Sequence, residues 1–184
     1  MEYRLSTDNI KDAIPSLRVG DRVFLTGTIY TARDQAHVAL FKLMDEGKPL
    51  PIDLGGAIIY YAGPTPGRGD MPTLACGPTT SGRMDRFTPR LLDMGLGAMI
   101  GKGPRSQDVL DAIVRNGSAY FCAVGGAGAL LAKCIREMEE IAFLDLGCES
   151  LKRLKIEDMP LIVGIDSEGR DIYKEGVAAY RAGA

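Results

Sequence analysis

At 184 residues, with 46% hydrophobic and 25% charged side chains, the chain has the make-up of one folded globular domain, not that of a disordered segment. A net charge of −2, with basic residues scattered among acids, excludes the basic stripe that grips nucleic acid. No window approaches the roughly 18 consecutive apolar residues of a membrane helix, and residues 1–16 lack the basic-then-apolar order of a signal peptide, so the cytoplasm is the expected compartment.

Residues 2–5 alternate in polarity, and residues 8–17 read as a short helix or turn ending near Pro15. The run RVFLTGTIYT, residues 22–31, is rich in β-branched and aromatic side chains and predicts a strand, with Gly27 marking a bulge or a close approach. Residues 32–46 place Ala36, Ala39, Leu40, Leu43 and Met44 on one face at helical spacing. A strand follows at 57–62, then a glycine- and proline-rich loop over 63–69, a short strand at 73–77, a short helix at 89–94 and a strand stub at 98–100. Residues 106–115 form the clearest helix, with Ser106 as N-cap and Asn116-Gly117 as stop. Beyond it the pattern predicts a strand at 119–124, a helix at 127–140, a strand at 142–146, and a hairpin of 160–165 with Ile172-Tyr173 around residues 167–170. The tail after Gly176 is expected to be frayed and flexible over 177–184. Strands alternating with helices over residues 22–146 predict an α/β fold with a mostly parallel sheet, the terminal hairpin adding antiparallel pairing, in a single domain spanning 1–184.

Familiar cofactor motifs are missing. Gly125-Gly126-Ala127-Gly128 lies between a strand and a helix, but the third glycine of a dinucleotide fingerprint would fall at Leu131, so close packing explains the run better. Residues 63–69 lack the Lys-Ser/Thr ending of a phosphate loop. Cys76, Cys122, Cys134 and Cys148 are far apart with no Cys-x-x-Cys pair, which favours reduced core residues over a metal site. The single histidine, His37, stands one helical turn after Arg33. It reads as satisfied or helix-orienting, or as a supporting group behind Arg33, rather than as the centre of a catalytic triad.

Chemistry concentrates after the strands: Arg33 after the first, Thr79, Thr80 and Arg83 after residues 73–77, and Lys102 after the stub. In open α/β sheets, ligands collect outside the carboxyl ends of parallel strands. If these turns converge, two arginines and a lysine suit a small dicarboxylate, since a guanidinium grips a carboxylate bidentately. The plain alternative is that each is a solvated strand-end cation.

The segments Thr31-Ala32-Arg33-Asp34-Gln35-Ala36-His37, Gly77-Pro78-Thr79-Thr80-Ser81-Gly82-Arg83-Met84-Asp85 and Gly101-Lys102-Gly103 resemble, in order, the signature motifs of the C-terminal domain or β subunit of class I fumarases and of the β subunit of L-tartrate dehydratase. Asp53-Leu54-Gly56 and Tyr61-Ala62-Gly63-Pro64 also match, and the resemblance runs from about residue 20 to about residue 176.

The resemblance implies a swivelling β/β/α domain acting in the reversible dehydration of a 2-hydroxy dicarboxylate, malate to fumarate or tartrate to oxaloacetate. It implies a hetero-oligomer in which a 4Fe-4S cluster is ligated by an alpha subunit and not by this chain. Carried over by residue, Arg33, Arg83 and Lys102 hold substrate carboxylates, and Thr79 is the catalytic group at the C3 proton; Thr80 is the neighbour that could be confused with it, and Thr80 and His37 are candidates for a supporting role only. An alcohol is a weak base, so Thr79 needs cationic surroundings and an aspartate from the partner. Two alternatives stand beside this: the threonines cap the following turn, or the chain is a non-catalytic anion-binding or assembly module.

Overall fold

In the computed structural model, which describes residues 1–183, the ten-residue strand expected at Arg22–Thr31 (β2) is the spine of the sheet. Parallel to its first half runs Glu2–Ser6 (β1), and its last two residues pair with Ile58–Tyr60 (β3). From there the order continues through Ala98–Gly101 (β4) and Ala119–Cys122 (β5), all parallel. The fifteen-residue strand Leu151–Ile165 (β7) is antiparallel to β5 on one side and to almost the whole of β2 on the other, so five strands close into a ring; Ile135–Ala142 (β6) pairs with β7 outside it. Closure removes most of the unpaired edges that an open sheet would expose.

Side-chain alternation sorts the sheet residues into two cores. Ile58, Tyr60, Ile100 and Phe121 point into the ring with Val23, Leu25 and Ile29 of β2. Ile59, Tyr61, Met99 and Tyr120 point outward beneath the crossover helices Asp34–Asp45 (α1), Thr88–Asp93 (α2) and Gln107–Asn116 (α3). Along β7 the inward positions switch from Leu154 and Ile156 to Met159, Leu161 and Val163. A bulge causes the switch: Glu157 and Asp158 add one residue against β2, Asp158 takes φ +48°, and its N–H is satisfied by Thr26 Oγ1 at 3.0 Å.

Several segments depart from expectation. The helix expected at 127–140 is only Gly128–Ala132 (α4), followed by β6. Arg136, Glu137, Glu139 and Glu140 have ordinary helix propensity, but across the ladder Glu137 pairs with Lys155 at 3.0 Å, Glu140 with Lys152 at 3.0 Å, and Glu139 with Arg153. Cross-strand charge pairing outweighs a weak local preference. The strand expected at 142–146 is instead a bend at Phe143, with φ 58°, leading into 3-10 turns over Leu144–Glu149. Residues 73–77 form no strand; Thr65 and Thr73 hydroxyls bonded to the Ala75 carbonyl hold them in a loop. The turn at 167–170 exists, organised by Asp166 Oδ1 accepting from Glu168 and Arg170 N–H. Its second arm is a helix, Ile172–Gly183 (α5), where a strand was expected at Ile172-Tyr173; the helix runs through the tail expected at 177–184, whose last residue lies outside the described residues, and the Asp171 carboxylate caps it by accepting from Tyr173 N at 2.9 Å. Before β2, residues 7–16 form one short helical stretch broken into 3-10 and α turns.

Gly27 meets both readings of it. The ladder shifts register beside it, it takes φ +129°, and a Cβ there would overlap Thr7 Oγ1, which accepts from Thr28 N at 2.9 Å. Gly27→Ala should therefore destabilise the fold by about 2 to 4 kcal/mol, combining a forbidden backbone conformation with overpacking. Urea unfolding measures it, and an unchanged midpoint would contradict this account of the β2–β7 ladder.

Candidate active site at the strand-end rim

Because β2 to β5 are parallel, their carboxyl ends open on one rim. Arg33 follows β2, Gly63 follows β3, Lys102 follows β4 and Gly125 follows β5. The loop that returns from residues 63–77 lays Pro78 to Ser81 between the ends of β3 and β4: Ala62 bridges Pro78, Thr79 N donates to the Tyr61 carbonyl at 2.8 Å, and Thr80 bridges Lys102 in parallel fashion. Three sequence-distant turns thus meet at one place.

Arg33 begins α1 and lies over Gly63, where a Cβ would sit 3.2 Å from Nη1. Its Nη2 is 3.4 Å from Glu149 and 3.9 Å from Asp34 Oδ2; the same Asp34 oxygen is 3.2 Å from Arg83 Nη2. Arg83 Nη2 also donates to Thr79 Oγ1 at 2.6 Å. Arg33, Asp34, Arg83 and Thr79 therefore form one connected group. Lys102 joins through the backbone, and its side chain runs along Gly125, with Nζ 3.6 Å from where a Cβ would stand. Beside it opens a cavity of about 450 Å³ walled by Val124, Ile162, Ile172 and Tyr173 among others.

Neither threonine hydroxyl caps the turn Ser81–Met84: Thr80, exposed at the N-cap position, makes no side-chain cap, and Thr79 Oγ1 is engaged by the guanidinium. His37 is fully buried, stacked on Phe87 with centroids 5.4 Å apart. Its Nδ1–H donates to the Arg33 carbonyl at 2.8 Å, while Nε2 has no partner. The imidazole thus touches Arg33 through the backbone that sets the first turn of α1. Burial, opposed by that bond, lowers its pKa to about 4, so it is neutral near pH 7.

Sequence reasoning missed Asp34 and Glu149. Asp34 lies inside the first motif, but a carboxylate beside cations is no signal of an anion grip. Glu149 comes from an irregular segment 116 positions beyond Arg33 and carries no pattern; it also caps α1, accepting from Gln35 N at 3.0 Å. Beneath the rim Arg105, with a fully buried side chain, donates to Asp85 at 2.7 Å and to Thr88 at 2.8 Å, and Asp85 also accepts from Ser106 N. That pair ties the end of the Thr79–Asp85 motif to α3.

A sequence profile described as "Fumarase C-terminus" matches residues 1–176. The chain belongs to the fumarase C-terminus family. Within the family it is 38% identical over 181 residues to a Methanocaldococcus jannaschii protein named "Putative L(+)-tartrate dehydratase subunit beta", covering 95% of this chain and 92% of that protein. It is 37% identical to fumarate hydratase 2 of Leishmania major, over 97% of this chain and 32% of that protein, and 41% identical to the anaerobic class I fumarate hydratase of Escherichia coli, over 85% and 29%. The chain thus spans about a third of the length of the fumarate hydratases that it matches.

The cysteines do not fit an iron–sulfur ligand set. Burial pushes the Cys76 thiol up to about 12 and raises those of Cys122 and Cys134, opposing the thiolate that iron requires. Among the described residues no group of three or more His, Cys, Asp or Glu side chains is placed to hold a metal ion, and no helix is long and apolar enough to cross a membrane.

His37 makes stability depend on pH. Its folded pKa of about 4 lies below the ordinary 6.5, so between those values the unfolded chain binds a proton that the folded chain refuses. Stability present above pH 6.5 is lost as pH falls, on the order of 3 kcal/mol by pH 4. His37→Asn, which keeps a donor for the Arg33 carbonyl, should remove that component. The check is the difference in urea unfolding free energy between wild type and variant from pH 7 to 4; parallel curves would refute it.

Proposed function

We propose that this chain is the β component of a two-part hydro-lyase that reversibly dehydrates a 2-hydroxy dicarboxylate, malate to fumarate, with its active site completed by a cluster-bearing alpha subunit. The observation that carries the reading is the joining of Thr79 to Arg83 at 2.6 Å on a rim that also presents Arg33 and Lys102. Two guanidiniums and an ammonium suit two carboxylates, the guanidinium by bidentate hydrogen bonds and the ammonium as a point charge. Thr79 Oγ1 faces the C3 proton of the bound substrate. A charge-assisted bond from Arg83 stabilises negative charge on that oxygen, which lets it accept the C3 proton once its own has passed to a carboxylate of the partner. The C3–H and C2–O bonds break and the C2–C3 double bond forms; the departing hydroxide takes the proton held on the partner's carboxylate and leaves as water, while Thr79 keeps the proton from C3.

In this reading the 4Fe-4S cluster implied by the family is ligated by the alpha subunit; burial holds the Cys76, Cys122 and Cys134 thiols of this chain toward the protonated form, which makes them poor iron ligands. Four free thiols fit a reducing compartment, the cytoplasm. L(+)-tartrate is the second substrate reading, favoured by the relative that matches this chain over nearly its whole length. One hydroxyl separates malate from tartrate, and a buried contact to it can change selectivity by orders of magnitude.

Co-expression with the cluster-bearing chain under anaerobic conditions, followed by assay on malate, fumarate and both tartrates, is the test. Turnover of one pair is expected, and a cluster-loaded complex inert toward all of them would sink the enzyme reading. In that complex Arg83→Ala and Lys102→Ala should each weaken transition-state binding by about 2 to 5 kcal/mol, the cost of stripping one partner from a desolvated charge pair. Unchanged kcat/KM would remove those residues from the site.

A further inference from the structure

Lys102 sits on a two-glycine turn held by three hydroxyl side chains, those of Ser81, Tyr120 and Tyr173. Gly103 takes φ +86°, a conformation other residues rarely adopt. At Gly101 a Cβ would overlap Ser81 Oγ and stand 2.9 Å from Tyr61 Cδ2, so the missing side chain is where the serine hydroxyl lies. Ser81 and Tyr120 are both fully buried.

The proton positions follow from donor and acceptor chemistry. Lys102 N donates to Ser81 Oγ at 3.0 Å, and Ser81 N donates to the Lys102 carbonyl at 2.9 Å. Tyr120 Oη lies 3.1 Å from the Gly103 carbonyl and 2.9 Å from Ser81 Oγ. A carbonyl only accepts, so the phenol proton points to Gly103, and the serine proton must point to the phenol oxygen. Burial raises the Tyr120 pKa, which keeps that phenol protonated. The chain of donors runs Lys102 N–H, Ser81 O–H, Tyr120 O–H, Gly103 C=O, a circuit that begins and ends on adjacent residues of the turn. Gly103 N–H, the remaining polar group, donates to Tyr173 Oη at 2.9 Å. Since Ser81 also opens the 3-10 turn that carries Arg83, it joins the lysine turn to the threonine–arginine turn.

We propose that Ser81, completed by Tyr120, is a positioning residue that fixes the Lys102 turn against the Thr79–Arg83 turn, so that the two grip one anion at a set separation. The proposal rests on the dicarboxylate reading of the rim. Neither hydroxyl faces substrate; each acts by holding backbone.

The test uses Ser81→Ala, Tyr120→Phe and the double variant in the complex with the cluster-bearing chain, titrated calorimetrically with succinate, a dicarboxylate with no hydroxyl to eliminate, and assayed in parallel for turnover. Each single change should weaken succinate binding about tenfold, by misplacing one cation of the pair. The double variant should be little worse than the poorer single one, since either change opens the same circuit. Faster hydrogen exchange at the Lys102 and Gly103 amides should accompany both. Lowered melting temperatures with wild-type succinate affinity would overturn the proposal, as would fully additive losses. A wild-type complex that binds succinate but dehydrates nothing would end the hydro-lyase reading and leave the Ser81 test intact; one that turns over malate or tartrate but binds no succinate would overturn the Ser81 proposal alone. If Ser81→Ala fails to fold, Tyr120→Phe, which removes one oxygen from a ring that stays packed, decides alone.

Discussion

The site depends on β7 lying antiparallel between β2 and β5. This one strand turns a run of parallel β–α units into a closed ring, and the ring fixes where the carboxyl ends of β2, β3, β4 and β5 emerge. Without it Arg33 and Lys102 would ride on the ends of an open, twisting sheet, and their separation would follow the twist. Its length is made possible by the bulge at Glu157 and Asp158, which bends the strand and changes which of its residues face inward as it passes from one neighbour to the other.

Electrostatically the rim is less bare than its cations suggest. Arg33, Arg83 and Lys102 share it with Asp34 and Glu149, so the chain neutralises part of its own positive charge. On the dicarboxylate reading, an arriving substrate exchanges these internal carboxylates for its own. Arg33 and Glu149, about three-quarters buried, are screened little, and that exchange is where affinity would be set. The same carboxylates keep two like charges from facing each other unpaired in the free protein, at the cost of competing with the ligand.

Legibility in the sequence divides along physical lines. The strand at 22–31, the helices at 106–115 and 89–94 and the stop at Gly117 were readable because hydrophobic period, caps and glycine act locally. The β6 segment was misread because its preference is decided by Lys152, Arg153 and Lys155, residues across a ladder that no local window contains. Convergence of Arg33, Thr79, Arg83 and Lys102 was one option from pattern, beside that of separate solvated cations; the returning loop joins the Thr79–Arg83 turn to Lys102 through the Thr80–Lys102 bridge, and Asp34 joins it to Arg33. Glu149 and Tyr120 were invisible, since one sits in irregular backbone and the other reads as an ordinary core aromatic. Glycine was the best guide to the fine structure. Gly101 and Gly103 flank the lysine for two separate reasons, room for a neighbouring hydroxyl and a left-handed backbone.

On the function proposed above, Arg33, Thr79, Arg83 and Lys102 form half of a dicarboxylate site. The test is a crystal structure of this chain with the proposed cluster-bearing partner and bound succinate. The account predicts carboxylate oxygens within about 3 Å of the Arg33 and Arg83 guanidiniums and of Lys102 Nζ, the distance of charge-assisted hydrogen bonds, with Thr79 Oγ1 facing the methylene carbon. Succinate held wholly by the partner, with Arg83 still on Asp34 and Thr79, would contradict it.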